Sequence, residues 1–231
     1  ESPETTSSPA AEERLVRERY EKAERLRQAG RELYAGRFEA THRAARLKAR
    51  RAELLESKET VRLAGRVMVV RSFGKAGFLV LDDGSDRIQV YVKKDVTAPE
   101  GFDFYKNELD AGDIVAAEGP MFVTKKGEFT LEARRLGLLA KSLRPLPEKW
   151  HGLRDVETRY RQRYVDLAVN PDVRAVFRRR SRIISFIRRF LDERGYIEVE
   201  TPVMQPVYGG AYARPFTTRH NVLDMNLFLR I

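Results

Sequence analysis

The sequence predicts an α+β protein with N-terminal helices, a five-stranded β-barrel and a C-terminal region built from a long helix and strands. Three observations predict this order. The first part is rich in helix-forming residues, period-two alternation of apolar and polar residues begins at Val61, and a long helical pattern follows a proline-containing linker. We therefore expect three regions, with bounds at 1–57, 58–142 and 143–231.

The composition indicates an anionic partner and excludes several kinds of site. The chain has 231 residues and a formal net charge of +10, and nucleic acid is the usual partner of so basic a protein. It has no cysteine, and its three histidines lie far apart in sequence, so we expect no disulfide and no metal site. No apolar run approaches the roughly 18–20 residues of a membrane span, and the first residues lack the apolar core of a secretion signal. We therefore expect a cytoplasmic protein without a membrane partner.

The first 57 residues are expected to form a polar lead and then two or three helices. Residues 1–10 are small and polar and include proline, which is typical of a disordered lead. The segment 12–56 is rich in Arg, Glu, Ala and Leu, and Gly30 and Gly36 interrupt it. This segment is either a solvated, salt-bridged set of helices, which the pattern favours, or a basic arm that touches an RNA backbone.

Five strands are predicted between residues 61 and 140, with a short helix between the third and the fourth. The segments are, in order, VRLAGRVMVV (61–70), FLVL (78–81), RIQVYV (87–92), the helical FDFYKNELD (102–110), IVAAEGPMFVT (114–124) and EFTLEARRLGLLA (128–140). This order matches an OB-fold, a small barrel with an outer face that binds oligonucleotides. Other five-stranded barrels give a similar pattern.

Strand parity places three side chains of complementary chemistry on the outer face of this barrel. They are Phe78, Gln89 and Glu128. An aromatic ring stacks on an unpaired base, an amide offers a donor and an acceptor, and a carboxylate accepts from a base N–H. Core packing is an equally good interpretation of Phe78 taken alone. Arg71 could reach a phosphate, but in a regular strand it would point inward, so this role requires a bulge or a twist.

The C-terminal region begins with a linker, LRPLPEKWHGL (143–153), and a helical segment, ETRYRQRYVDLAVN (157–170). A long amphipathic helix to Arg194 should follow, with Asn170 as its N-cap and Pro171 in its first turn. Gly195 is a suitable residue to end it. The alternation in YIEVETPVM (196–204) then predicts a strand.

Three of these stretches resemble class II lysyl-tRNA synthetases. GRVMVVRSFGKAGFLVLDDGSDRIQVYV resembles their anticodon-binding barrel, and LRPLPEKWHGLRDVETRYRQRYVDL resembles their most distinctive segment. The stretch from FRRRSRIISF to MNLFLRI resembles motif 1 and the first substrate loop of their antiparallel-sheet catalytic domain. The resemblance runs from about residue 36 to the end.

The resemblance implies roles for the residues of the barrel. Phe78 would stack on the central anticodon uridine, Gln89 and Glu128 would read anticodon bases, and Arg71 would contact the anticodon loop.

The resemblance also implies roles in the C-terminal region. The loop that closes over the lysine substrate would contain Gly209, Gly210 and Ala211, although two successive glycines also suit a plain turn. Motif 1 would form a homodimer interface, or else its helix would only dock on its own sheet. The motif 1 residues in question are Arg182, Ile187, Phe190 and Pro202.

The reaction that the resemblance implies is the ATP-dependent formation of lysyl-adenylate and the transfer of lysine to tRNA-Lys. ATP and Mg²⁺ would be bound by motifs 2 and 3, which in that family follow the position of Ile231. We therefore expect no catalytic residue within this chain and no ATP–pyrophosphate exchange by it alone. The alternatives are an aspartyl- or asparaginyl-tRNA synthetase, which the RYRQRYVDL segment argues against, and a stand-alone tRNA-binding or dimer-forming module.

Overall fold

The computed structural model describes residues 9–147, 153 and 155–231, and it divides the chain into two compact units between Arg154 and Asp155. Most of the predicted polar lead and part of the linker lie outside the described residues. The domain boundaries that the sequence predicts at 57/58 and 142/143 stay a prediction.

Three helices open the first unit, in line with the two or three that were predicted. They are α1 (Pro9–Gln28), α2 (Ala44–Ala49) and α3 (Arg51–Ser57). Ala23 and Leu26 of α1 are buried in the same apolar core as the strands that follow. The helical segment is therefore packed onto the barrel by one of its faces.

The barrel consists of seven strands that derive from the five predicted runs. They are β1 (Val61–Phe73), β2 (Ala76–Asp82), β3 (Arg87–Lys93), β4 (Ile114–Gly119), β5 (Met121–Val123), β6 (Phe129–Glu132) and β7 (Arg135–Ala140), with α4 (Pro99–Asn107) between β3 and β4. The fourth run is interrupted at Pro120, which has no N–H for a ladder hydrogen bond. The fifth run is interrupted at Ala133 and Arg134.

The strand pairing follows the order of an OB-fold. β1 pairs antiparallel with both β2 and β4, β2 pairs antiparallel with β3, and β3 pairs parallel with β6. β5 and β7 pair antiparallel with β6 and β4, respectively. Because β4 and β5 form one interrupted run, and β6 and β7 another, the five runs follow one another around a ring.

Alternate residues of the strands fill the barrel, as the period-two pattern predicts. The fully buried strand residues include Val61, Leu63, Val67, Leu79, Leu81, Val90, Val92 and Leu131. Burial of this kind stabilises a fold by about 25 cal/mol for each Å² of apolar surface removed from water. Because successive side chains of a strand point to opposite faces, the burial of these residues leaves their neighbours in the strand facing outward.

A buried ionic cluster lies at one end of this unit. The Lys141 ammonium is within 2.7 Å of Asp110 Oδ2 and 2.8 Å of Asp113 Oδ2, and its side chain is fully buried, as is that of Asp113. It also donates to the carbonyl oxygen of Glu108 at 2.7 Å. Lys22 of α1 reaches the other oxygen of Asp110 at 2.7 Å. The cluster thus joins α1 to the α4–β4 connection and to the residue after β7.

Three helices and three short strands make up the second unit. The elements are α5 (Val156–Arg161), α6 (Arg163–Val169), α7 (Pro171–Asp192), β8 (Met204–Gln205), β9 (Thr217–His220) and β10 (Met225–Leu229). The strands form an antiparallel sheet in the order β8-β10-β9. The single helix predicted for 157–170 is divided into α5 and α6 at Gln162, which has φ −113° and ψ 54°.

The predicted ends of α7 are largely confirmed. Pro171 is in its first turn, but the Asn170 side chain makes no capping bond; it donates instead to Asp166 Oδ1 at 2.7 Å. Gly195 has φ +79°. The N–H of the next residue, Tyr196, donates to the Leu191 carbonyl at 3.2 Å, which is typical of a glycine-ended helix.

The strand predicted for 196–204 is wrong over most of its length. Only Met204 and Gln205 are paired as β8, with Leu229 and Phe228 of β10. A strand requires a ladder of backbone hydrogen bonds to a neighbour. Among the described backbone hydrogen bonds, residues 196–203 are linked to this sheet only through the Val203 carbonyl, which accepts from the Arg230 N–H at 2.7 Å. Pro202 in addition lacks a backbone donor.

Candidate nucleic-acid interface

A β-bulge in β1 turns the Arg71 side chain outward. Val67 pairs with Leu81 but Val69 pairs with Val80, so β1 contains one residue more than β2 over this step. Beyond the bulge Val70 packs against the core, and Arg71 pairs with Phe78 across the two strands. Cross-strand partners share a face. The bulge that the sequence required for an outward Arg71 is therefore present, and Arg71 is exposed.

Four aromatic side chains form a row across the outer face of the barrel. The ring centroids of Phe73 and Phe78 are 6.4 Å apart, those of Phe78 and Tyr91 are 5.0 Å apart, and those of Tyr91 and Phe122 are 5.9 Å apart. Phe78, Tyr91 and Phe122 are partly exposed, so Phe78 is not a core residue. We call these four residues the aromatic row. Of the four, only Phe78 is predicted from the sequence to be a site residue.

Gln89 lies beside this row with its amide held in place. Gln89 pairs with Thr130 in the parallel β3–β6 ladder, and its Nε2 donates to Thr130 Oγ1 at 3.0 Å. The Thr130 hydroxyl donates in turn to the Glu128 carbonyl at 3.1 Å. This leaves the amide oxygen and the second N–H of Gln89 available to a base.

Glu128 lies one residue before β6 and is exposed. Its backbone N–H donates to Thr124 Oγ1 at 3.1 Å, and its carbonyl accepts from the Thr124 N–H at 3.0 Å. It is two residues from Thr130 and so shares the strand face on which Thr130 meets Gln89. Phe78, Gln89 and Glu128 thus lie on one side of three neighbouring strands.

Helix α4 supports this face from behind. The Tyr105 hydroxyl donates to the carbonyl oxygen of Arg71 at 3.2 Å. A Cβ atom at Gly77 would lie 1.7 Å from that hydroxyl oxygen and 2.4 Å from the Arg71 carbonyl oxygen. Gly77 is therefore required for the close approach of α4 to the β1–β2 hairpin.

Comparison with known proteins agrees with this architecture. A family model described as "OB-fold nucleic acid binding domain" matches residues 61–139, and one described as "tRNA synthetases class II (D, K and N)" matches residues 155–231. The chain is 53% identical over 221 residues to the lysine–tRNA ligase of Moorella thermoacetica, an alignment that covers 96% of this chain and 45% of that protein. It is 54% identical over 217 residues to the lysine–tRNA ligase of Syntrophomonas wolfei, with 94% of this chain and 43% of that protein covered. The chain is therefore similar to class II lysyl-tRNA synthetases over nearly its whole length.

These alignments cover nearly all of this chain but only part of each relative. The chain spans less than half the length of these curated relatives. The same holds for the lysine–tRNA ligase of Carboxydothermus hydrogenoformans. That protein is 53% identical over 219 residues, which cover 94% of this chain and 44% of the relative. Because these relatives are lysine–tRNA ligases, the comparison favours the lysyl resemblance over the aspartyl and asparaginyl alternatives that the barrel and motif 1 left open.

The expected substrate loop of this family is an exposed turn in the second unit. Gly210 has φ +106°, a conformation that favours glycine, and a Cβ at Gly209 or Gly210 would meet no atom within 4 Å. The Ala213 N–H donates to the Ala211 carbonyl at 2.9 Å. The glycine at 210 is thus explained by the turn itself, and the contact with lysine stays a prediction.

The residues that the sequence predicts for motif 1 are all exposed in the second unit. They are Arg182, Ile187, Phe190 and Pro202. Ile187 is 50% exposed and Phe190 40% exposed, although α7 is strongly amphipathic. The Phe190 ring contacts the Phe186 ring at 6.0 Å and lies 3.5 Å from the Arg194 guanidinium. Within this unit, then, the apolar side of α7 is uncovered.

The described part of the chain contains neither a metal-ligand cluster nor a membrane-spanning helix. There, no group of three or more His, Cys, Asp or Glu side chains could hold a metal ion. Nor does any helix within those residues combine the length and the apolar character that crossing a membrane demands.

Proposed function

We propose that the first unit binds the anticodon of tRNA-Lys on the outer face that carries the aromatic row. The observation that carries this proposal is the partly exposed Phe78 ring, which lies between Arg71 on one strand and Tyr91 on the other, with Gln89 on the same face two residues before Tyr91. Families of nucleic-acid-binding barrels use such rings to stack on unpaired bases. The match of residues 61–139 to the nucleic-acid-binding model supports the same reading.

The chemistry of the face suits a uridine. Its ring offers one N–H donor between two carbonyl acceptors, which the Glu128 carboxylate and the free N–H of Gln89 complement. Stacking on Phe78 would contribute about 1–3 kcal/mol for the base. The Arg71 guanidinium would neutralise a phosphate of the loop, and the net charge of +10 favours the approach of RNA.

The activity of the whole protein is proposed from its relatives, which are lysine–tRNA ligases. Lysine would attack the α-phosphate of ATP to give lysyl-adenylate and pyrophosphate, and the lysyl group would then move to the 3′ end of tRNA-Lys. We place this activity in the cytoplasm. ATP and Mg²⁺ belong to that reaction in the whole protein, and the described residues contain no group of three or more His, Cys, Asp or Glu side chains that could hold the metal ion. Absence of ATP–pyrophosphate exchange by the 231-residue chain stays a prediction.

The apolar side of α7 supports a second part of the proposal, a homodimer through motif 1. Ile187→Glu would place a charge in the middle of that side, whereas Arg189→Glu places the same charge about 200° around the helix. Sedimentation velocity of the full-length protein should give a monomer for the first variant and a dimer for the second. A dimer in both cases would remove α7 from the interface.

Phe78→Ala tests the anticodon proposal. Loss of the ring should weaken binding of the tRNA-Lys anticodon stem-loop by about 5- to 150-fold at fixed salt, the equivalent of about 1–3 kcal/mol. Fluorescence anisotropy with a labelled stem-loop measures the affinity. Tyr20→Ala, which removes an exposed ring from α1, is the matched control and should leave the affinity unchanged.

Phe78→Leu keeps apolar volume and separates binding from folding. If it melts at the temperature of the unmodified chain and still loses affinity, the ring acts on RNA. An unchanged affinity in a folded Phe78→Leu chain would refute the role of Phe78.

A further inference from the structure

Phe73 is an exposed ring on a rigid support. It is the last residue of β1, and 66% of its surface is exposed. It pairs with Ala76 across a two-residue turn, of which Gly74, with φ +69°, is the first residue. Such turns match the twist of the strands that they join and hold a hairpin tightly. The ring is therefore presented to solvent by a fixed backbone rather than by a loose loop.

The direction of the Phe73 ring follows from strand parity. Phe73 is two residues after Arg71 on β1, and so both side chains lie on the outer face with Phe78. The planes of the Phe73 and Phe78 rings make an angle of 72°. One flat base cannot stack on two rings at that angle. The two rings can instead take one base each.

The spacing of the two rings also suits two bases. Their centroids are 6.4 Å apart, whereas stacked neighbours in a helix are separated by about 3.4 Å. The bases of a single-stranded loop, when they are recognised by a protein, are commonly splayed apart and stacked on aromatic side chains. A separation of this size fits two successive nucleotides that have left their stack.

Arg71 supplies a cation on the same face, next to both ring positions. Arg71 is the cross-strand partner of Phe78 and the near neighbour of Phe73 on the same face. Over the residues that the structure describes, no carboxylate forms an ion pair with its guanidinium, although many other arginines have one. The backbone of Arg71 is fixed by Tyr105. Its charge is thus available to a phosphate that links two nucleotides.

We propose that Phe73 is a second base-stacking platform, which holds a nucleotide next to the one on Phe78, while Arg71 binds the phosphate between them. The proposal rests on the anticodon-binding function and extends it from one stacked base to a dinucleotide. The other explanation of Phe73 is that it only covers the edge of Phe78. These two explanations differ in whether the neighbouring base matters.

Phe73→Leu and altered stem-loops test this point. The affinity of the 231-residue chain is measured by anisotropy for the intact tRNA-Lys anticodon stem-loop and for two loops with an abasic residue on one or the other side of the central anticodon position. Phe73→Leu should weaken binding of the intact loop by about 5-fold or more. It should have no effect on one of the two abasic loops, which already lacks the base in question.

Phe78→Leu is the matched control and should weaken binding of all three loops. Equal losses for Phe73→Leu on all three loops, or no loss on any of them while Phe78→Leu keeps its effect, would overturn the second platform and leave the proposed function standing. If neither variant changes the affinity of any loop, the proposed function fails and the platform with it.

Arg71→Gln tests the phosphate contact separately. The slope of log affinity against log salt should fall by about one unit, as is expected for the loss of one phosphate contact. An unchanged slope would remove Arg71 from the proposed site.

Discussion

Replacing Lys141 by methionine should destabilise the first unit severely. The Lys141 side chain is fully buried and lies between Asp110 and Asp113 at 2.7 and 2.8 Å. Methionine has a similar length but no charge, so the variant leaves the fully buried Asp113 carboxylate without its cation and leaves Asp110 with Lys22 alone. Removal of one partner from a buried ion pair costs about 3–5 kcal/mol, and here one cation serves two acids.

Urea denaturation of the 231-residue chain, followed by circular dichroism, measures this effect. With a slope of about 2 kcal/mol per molar urea, the midpoint of the barrel's transition should fall by about 1.5–2.5 M. Lys22→Met is the matched control. Lys22 contacts the same Asp110 at 2.7 Å, but its side chain is 23% exposed, so its loss should cost about 1 kcal/mol or less. Equal midpoints for the two variants would refute the claim that burial sets the importance of Lys141.

Two further predictions concern the same unit. Gly77→Ala should destabilise the unit by about 1–3 kcal/mol and so lower its melting temperature, because the new Cβ would overlap the Tyr105 hydroxyl. The double variant Gly77→Ala/Tyr105→Phe should recover only part of this loss, since the Arg71 carbonyl oxygen is also 2.4 Å from the new Cβ. Full recovery of the stability would contradict this account. Burial acts to raise the pKa of Asp110, but hydrogen bonds and charges from Lys141 and Lys22 outweigh it and hold that pKa below its ordinary value. Because the pKa of Asp110 is lower in the folded than in the unfolded state, Asp110 contributes stability above a pH of about 4, and this contribution is lost as the pH falls through the folded pKa. An NMR titration should find Asp110 still ionised at a pH equal to its ordinary pKa. A titration midpoint at or above that value would contradict the prediction.

The barrel and the side chains on its outer face were predictable because strand alternation has a period of two. Once Leu79 and Val90 are assigned to the core, Phe78 and Gln89 must face out. The same rule exposed a conflict at Arg71, and the bulge between Val67 and Val69 resolves it. A parity conflict in a sequence can thus locate an irregularity of a strand.

Features that depend on strand register across the sheet were not predictable. Phe122 reaches Tyr91 over the intervening β6, although the two residues are far apart in the chain. Lys141 meets Asp113 in the same way, as a buried pair among residues of a type that usually lies at the surface. No local pattern signals such a pairing, since it is fixed by how the barrel closes.

The strand predicted for 196–204 shows that alternation alone does not establish a strand. Alternation in this segment is real, but alternation only says that a strand would have two different faces. Whether the strand forms depends on a hydrogen-bonding neighbour, and the described strands offer one only to Met204 and Gln205. Propensity in a strand depends on its partners more than propensity in a helix does, which explains why α7 forms as predicted and this segment does not.

The aromatic row has a physical reason to be both partly exposed and rigid. Each ring covers part of its neighbour. The row therefore keeps apolar surface for a base but exposes less apolar surface to water than four separate rings would. The strand residues next to the ring positions, Leu79 and Val90, are fully buried, and their packing fixes the backbone beneath the rings. A base that stacks on Phe78 therefore meets a surface that is already in place, and less of its stacking energy is lost to ordering the protein. The exposed Phe73 extends this surface by one ring at the tip of a tight hairpin, where a second nucleotide can reach it.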